Sequence, residues 1–527
     1  MNINELFAQK IKSKLSNKKT LRLILGDQLN SQHSWFSEVD QNATHVMMEI
    51  RTETDYATHH IQKVVGFFAS MQAFANELIA KNHQVIYMKL NDENNQQSFE
   101  KNLNYLIETN HFTHFEYQIP DEYRLDILLK NFCESLNIIS QAFDSEHFMS
   151  SRTELGEFFA GKKTYLMESF YRYMRKKHDV LMNGTEPETG QWNYDSDNRK
   201  KLPQNHVPTQ PFIFENDVSE ILQEIKKTEI KTIGNIDAKH FLWPINRSQS
   251  LELLSFFVKE CLPLFGTYQD AMSPIGWSLY HSRISFSMNT KMISPTEVID
   301  AAIEEWRNRP NEIEYNQLEG FVRQIIGWRE YMRGIYWLKM PEFANMNFFE
   351  NTNDLPDWFW TGKTKMNCLK DAINQSLNYS YAHHIQRLMI TGNFALLAGV
   401  HPDEVDKWYL GIYIDAIEWV EITNTRGMSQ YADGGIIGSK PYVSSASYID
   451  KQSHYCGTCF YDKNKKTGEK SCPFNSLYWN FYDRNQAKLA KNPRIGMAYN
   501  TWSKMKPENK TAFLQQAEYY LENINNL

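Results

Sequence analysis

Short apolar runs alternate with longer stretches of helical periodicity through the first 145 residues. TLRLILGDQL, ATHVMMEI, HQVIYMKL, HFEYQIP and IISQAF have the length and composition of buried strands. Between the second and third, apolar side chains recur at helical spacing from His59 to Lys81, through Ile61, Val64, Val65, Phe68, Met71, Phe74, Ala75, Leu78 and Ile79. This alternation predicts an α/β domain over residues 1–145, built on a parallel five-stranded, Rossmann-like sheet. Ligands of such sheets sit at the carboxyl ends of the strands, and the first run ends there in GDQL, Gly26 to Leu29. GDQL is neither GxGxxG nor a P-loop, so the usual dinucleotide and ATP fingerprints are absent.

Residues 146–235 read as an interdomain connector, with a basic aromatic helix (YLMESFYRYMRKKH) and a polar loop (NGTEPETGQWNYDSDNRKKLPQN). From Ile236 onward strand patterns vanish. Helical periodicity and segments rich in Trp, Tyr and Phe predict a large all-α domain over 236–527. There is no internal repeat and no low-complexity tract.

Composition then narrows the class. The chain of 527 residues exceeds one ordinary core, and 42% hydrophobic with 23% charged residues suits a folded soluble protein. No apolar run reaches membrane-spanning length, and MNINELFAQKIKSK lacks the apolar core of a signal peptide. A cytoplasmic, monomeric protein with no membrane contact is expected. Net charge is −7, yet residues 451–510 hold twelve Lys/Arg against four Asp/Glu, a local balance of +8. A basic face on an acidic body fits a polyanionic partner. Lys463 to Lys470 alone would suit a solvated loop equally well, but the basic residues continue through Arg484, Lys488, Lys491, Arg494, Lys504 and Lys506.

The same segment carries chemistry. Cys456, Cys459 and Cys472 stand in the spacing C-x2-C-x12-C, in a chain of only six cysteines. So few cysteines make no disulfide framework, and the cluster points to metal. Zinc could take His454 or a distant cysteine as fourth ligand, and base rates favour it slightly. An iron–sulfur cluster would need a fourth thiolate from Cys368, Cys133 or Cys261. Cys133 and Cys261 lie on apolar helical faces that suit a core.

Several longer motifs resemble one family. YAHHIQRLMITGNFALLAG is followed by KWYLGIYIDAIEWVEITN. Upstream stand FGTYQDAM, GWSLYHSRISFSMN and QIIGWREYMRGIYW, and downstream GMSQYADGG, KPYVSSASYIDKQSHYC and CPFNSLYWNFYDRN. Across nearly the whole chain this series resembles the photolyase/cryptochrome family, in particular its bacterial iron–sulfur branch, the prokaryotic (6-4) photolyases. The resemblance implies a [4Fe-4S] cluster on Cys368, Cys456, Cys459 and Cys472, in place of zinc. It implies FAD in the helical domain and a 6,7-dimethyl-8-ribityllumazine antenna at the α/β domain. The partner would be UV-damaged DNA, with nucleoid association when bound, and the reaction light-driven repair of pyrimidine (6-4) photoproducts.

For FAD, the candidates are Tyr268, His281, Ser282, Arg283, Ile284 and Ser285 toward the phosphates and ribityl chain, an Arg387–Asp415 pair beside the ring, and Asn424. Arg329 and Glu330 are expected pocket supports. Lesion reversal needs a proton donor, and histidine has the right acidity. The resemblance makes His384 the acid and His383 its helper, on the helix that carries Arg387. It also makes Trp360, Trp408 and Tyr409 an electron relay. Glu421, Met428, Tyr442 and Tyr448 are expected beside the lesion, and Asp195 and Arg199 at the DNA face, with Asp195 a candidate ligand for a divalent cation such as Mg2+. Asp27, Gln28, Leu29 and Glu49 are the antenna candidates. Two alternatives share some of these features: a blue-light photoreceptor of the same fold, and a non-catalytic iron–sulfur protein that binds nucleic acid. The double histidine and basic face favour repair over signalling, and the second alternative predicts no flavin.

Overall fold

A computed structural model describes residues 18–527. Strands β1 (Thr20–Leu23), β2 (Ala43–Met48), β3 (Gln84–Met88), β4 (His114–Gln118) and β5 (Ile139–Phe143) form one sheet in the order β3-β2-β1-β4-β5, with every neighbouring pair parallel. Helices α1 (Ile61–Ala80), α2 (Phe99–Asn110) and α3 (Tyr123–Ser135) make the crossovers after β2, β3 and β4. The strand order reverses between β1 and β4, and this opens a crevice at their carboxyl ends. Strand β1 stops short of its apolar run because a turn follows: Gln28 donates its backbone N–H to the Leu25 carbonyl (3.0 Å) and accepts the Leu25 N–H on its side chain (3.0 Å).

Helix α1 starts where His60 accepts the Gln62 N–H at 3.0 Å. It is apolar on more than one side because it packs both on the sheet and on the helical domain. A Cβ at Gly66 would stand 3.1 Å from Ile414 and 3.3 Å from Phe241, so any larger residue there would force those side chains to shift. A buried ion triad spans the same junction: Lys291 of the helical domain reaches Asp27 and Asp121, each at 2.9 Å.

Residues 146–235 are divided between the two bodies. Leu155, Phe159, Phe170, Tyr171 and Met174 enter the core of the helical domain, while Val218, Ile225 and Ile230 pack with α1. The segment Met167–His178 is helical as its pattern predicts. Beyond residue 236 the described chain is helix and turn with isolated bridges only. Four π-helical turns interrupt these helices, at Phe257–Cys261, Arg323–Arg329, Arg387–Gly392 and Thr423–Ser429. Such wide turns push side chains off the regular helical face. Among the described residues no helix is long and apolar enough to cross a membrane.

Candidate functional site

Three of the π turns line one cavity of about 300 Å³ in the helical domain, through Gln324, Ile325, Trp328 and Arg329, through Arg387 and Leu388, and through Asn424, Thr425 and Ser429. The opposite wall is the segment His281–Ser285 with Met288 and Asn289. Arg387 donates to the Ala382 carbonyl (2.7 Å) and to Asp415 Oδ2 (3.1 Å), and its guanidinium lies 3.8 Å from the Tyr413 ring centroid. Asp415 also accepts from Ser285 Oγ (2.6 Å), and its carbonyl accepts from Asn289 Nδ2 (2.8 Å). The expected Arg–Asp pair is thus fixed on four sides and faces the cavity. Tyr268 stands outside, stacked on Tyr280 at 5.7 Å. Of the supports, Arg329 lines the cavity and Glu330 accepts from Ser150 behind it.

His281 and His383 stack with centroids 4.5 Å apart and planes 10° from parallel. Their Nε2 atoms are buried without a hydrogen-bond partner. Burial lowers the His281 pKa to about 4, with repulsion from His384 next. Burial, then His281, holds His383 well below the usual imidazole range. His384 is lowered to about 4, first by the surrounding protein and then by Arg387. His281 and His383 are therefore neutral at pH 7 when no anion fills the site, and the lowered pKa of the more exposed His384 favours its neutral form in the same way.

His384 belongs to a second cavity as well, of about 670 Å³, which shares Phe265, His281, Gln324, Trp328, Leu388 and Asn424 with the first. Its outer wall is Asp195, Arg199, Met428, Tyr442 and Tyr448, all expected from the sequence, with Asp270, Lys440 and Lys451, which were not. Asp195 is ion-paired with Arg199, and Arg199 lies 4.0 Å from Asp270. Burial raises Asp270 to about 6. Glu421, expected on the lesion side, lines the first cavity and accepts from Thr425 Oγ1 at 2.6 Å. Burial, then Asp406, pushes its carboxyl well above the usual range.

Tyr409 lines the first cavity, and its hydroxyl donates to the Arg387 carbonyl at 2.6 Å. Trp408 is fully buried 5.2 Å from Tyr409 and donates to the Phe359 carbonyl (3.0 Å). The next residue, Trp360, is 36% exposed. Tyr409 thus lines the cavity, Trp408 packs against it in the core, and Trp360 lies at the surface.

Cys368, Cys456, Cys459 and Cys472 line one small cavity with Met366, Tyr455, Tyr461 and Phe474. Among the described residues no three His, Cys, Asp or Glu side chains converge as ligands of a single metal ion. Cys133 lies on α3 and Cys261 in the helical core, and His454 shares a hydrogen bond with Ser273 (3.3 Å). The basic segment near the cysteines is only partly a free surface. Arg484 donates to the Leu396 and Leu397 carbonyls, which end a helix, and Lys488 reaches Glu350 at 3.1 Å.

A third cavity of about 120 Å³ opens at the strand ends, lined by Asp27, Met48, Ile50, Tyr56, Lys63, Phe67, Asp121 and Glu122. Asp27 faces it. Gln28 is buried and donates to the Gln118 carbonyl (3.1 Å), Leu29 is in the core, and Glu49 accepts from Gln72, Tyr87 and Leu90. None of those three lines the cavity. Tyr56, Lys63 and Glu122 were not legible, although Lys63 in a helix as apolar as α1 is itself an anomaly.

A family model described as deoxyribodipyrimidine photo-lyase-related protein matches residues 22–241. The chain is 39% identical over 507 residues to a protein of Agrobacterium fabrum named (6-4) photolyase, covering 96% of this chain and 99% of that one. Among solved structures, a bacterial class III photolyase from Agrobacterium tumefaciens superposes with a TM-score of 0.56 at 13% identity, over 96% of this chain and 98% of that one. A Synechocystis sp. PCC6803 cryptochrome gives a TM-score of 0.57 at 12% identity, over 96% and 99%. These two likenesses bear on the fold alone.

Proposed function

The chain belongs to the photolyase/cryptochrome family, and from that footing we propose that it is a light-dependent DNA-repair enzyme that reverses pyrimidine (6-4) pyrimidone photoproducts. The observation that carries this reading is a pair of adjacent cavities that share one wall, with His384 and His281 among its residues. The first fits FAD. It has aromatic and aliphatic walls for a flat ring, the Arg387–Asp415 pair for the ring edge, two further guanidinium groups (Arg283 and Arg329) for a diphosphate, and the partnerless Nε2 atoms of His281 and His383. Ser282 to Ser285, Arg387, Asp415 and Asn424 would hold it. Bound FAD supplies absorption of blue light and donation of an electron to the lesion.

This chain's side chains do the rest. The second cavity accepts the lesion flipped from the duplex, a step that costs a few kcal/mol and less where the helix is already distorted. Met428, Tyr442 and Tyr448 offer apolar and aromatic contact, and Arg199, Lys440 and Lys451 neutralise phosphates. A ring nitrogen of His384 then donates the proton that lets the displaced hydroxyl return to its own base. His384 is neutral in the ligand-free site, so the charge of bound DNA must first draw a proton onto it. His383, stacked on His281, holds the neighbouring backbone and ring in place for that transfer.

Trp360, Trp408 and Tyr409 form the electron relay in this reading, supported by the contact of Trp408 with Tyr409 at the cavity and by the exposure of Trp360. We assign a [4Fe-4S] cluster to Cys368, Cys456, Cys459 and Cys472, four thiols that line one cavity, the ligand set such a cluster takes. A lumazine antenna is assigned to the smaller cavity at the strand ends, with Asp27, Tyr56 and Lys63 as its polar contacts. The test is direct. Protein purified without oxygen is mixed with an oligonucleotide bearing one (6-4) product and irradiated with blue light, beside a cyclobutane-dimer control. Loss of the (6-4) lesion in light alone is expected. Flavin-loaded, reduced protein that leaves it intact refutes the repair reading.

A further inference from the structure

The polar loop of the connector carries Asp195 and Arg199 to the outer wall of the second cavity, and it is pinned there at three points. Upstream, the Trp192 ring lies among Arg172, Arg175 and Lys176, at 5.2, 5.1 and 5.5 Å, and its carbonyl accepts from Arg323 at 2.9 Å. Downstream, the Lys200 N–H donates to the Thr267 carbonyl (3.1 Å), and Gln452 Nε2 donates to the Arg199 carbonyl (3.5 Å). Between them, Asn198 is fully buried in a loop whose neighbours Asp197 and Arg199 are exposed.

The Asn198 amide fills a notch between two helices, Leu262–Tyr268 and Tyr315–Val322. Its Nδ2 donates to the Asn316 carbonyl (3.0 Å), and its Oδ1 accepts from Asn316 Nδ2 (2.9 Å). Both partners require an amide, since a carboxylate cannot donate. The notch exists because two residues lack side chains. A Cβ at Gly266 would stand 2.8 Å from Asn198 Oδ1, and one at Gly320 2.8 Å from Asn198 Nδ2. Neither glycine has a positive φ, so close approach rather than backbone conformation accounts for them.

We propose that Asn198 is a positioning residue for damage recognition: its amide, seated in the Gly266–Gly320 notch, sets the height at which Asp195 and Arg199 meet a flipped lesion. The proposal rests on the repair reading and deepens it. A peg one residue from Arg199 and three from Asp195 fixes both side chains before DNA arrives, so binding damaged DNA does not have to order the loop. Undamaged duplex, which enters no cavity, is held through the outer lysines and is indifferent to the peg.

The test uses the full flavin-loaded chain. In N198A, affinity for lesion-bearing duplex falls about tenfold, while affinity for undamaged duplex and repair yield at saturating lesion stay within about twofold. G320A acts in the same direction by crowding the amide. In the N198A background, where the notch is vacant, G320A adds no more than about a twofold loss. Equal loss toward both DNAs, no loss toward either, or additive single effects would overturn the proposal. If the wild type binds damaged and undamaged DNA alike, the repair reading fails separately. The peg is then judged by trypsin cleavage after Arg199, Lys200 and Lys201: faster cleavage in N198A upholds it, and unchanged cleavage overturns it.

Discussion

His384→Asn keeps a polar side chain at the junction of the two cavities and removes the imidazole that the proposed mechanism uses as its acid. The surrounding protein and then Arg387 lower the ring to a pKa of about 4 in the ligand-free site, where the residue is nonetheless exposed to solvent, so this is the largest shift to be expected. At pH 7, protonation would then cost about 4 kcal/mol, at 1.36 kcal/mol per unit, less whatever water in the cavities screens. One negative charge about 4 Å away, at an effective dielectric near 20, returns about 4 kcal/mol. A single phosphate or anionic base beside the ring therefore suffices to bring its pKa near neutrality. The sign follows: in the complex the acid form is present below that pKa and is lost as pH rises through it. Repair per bound lesion should thus be flat on the acid side and decline above neutrality. His384→Asn should lower it by about 100- to 10,000-fold, the usual worth of a positioned acid, and flatten the profile. The assay is the single-flash repair yield with chemically reduced flavin from about pH 5.5 to 9, with lesion affinity measured alongside. A wild-type profile without a descending limb, together with a variant within about tenfold of wild type, would refute the proton-donor role.

Three further outcomes are expected. Trp408→Phe keeps the packing between Tyr409 and Phe359, costs about 1 kcal/mol for the lost indole hydrogen bond, and abolishes light-driven reduction of oxidised flavin while chemically reduced protein still repairs; undiminished photoreduction contradicts the relay. Cys368→Ser loses iron and the broad visible cluster absorption and unfolds at lower denaturant, because cluster binding free energy is also folding free energy; full iron content in the variant removes Cys368 from the ligand set. Lys291→Met leaves Asp121 with Arg333 at 3.4 Å but strands Asp27, at a cost of about 3–5 kcal/mol. The stranded carboxylate has a folded-state pKa above its unfolded value, so the deficit is smaller at acid pH and grows as pH rises, and unfolding midpoints at two pH values read this; a pH-independent deficit contradicts it.

Periodicity alone made the architecture legible. The five short apolar runs became the five parallel strands, and the loss of that pattern after Ile236 marked the helical domain. His383, His384, Arg387 and Asp415 were legible because family motifs carry them and because three of them share one helical stretch. Gln28, Leu29 and Glu49 were expected at a ligand, yet they are consumed by a turn, the core and a buried hydrogen-bond set. A strand end says where a crevice opens, not which side chains turn into it. Glu421 lines the first cavity and not the second, a placement that leaves no compositional mark.

The order of residues determined which segments become strands and helices, and which residue types are available for proton, electron and metal chemistry, because these follow from local periodicity and from side-chain acidity. Tertiary structure alone decided that two cavities share a wall that includes His281 and His384, that four cysteines spread over about a hundred positions face one space, and that a polar loop is locked by an amide between two glycines. Those facts depend on how close distant backbones approach, and steric exclusion at a few ångströms leaves no trace in the chain until it has folded.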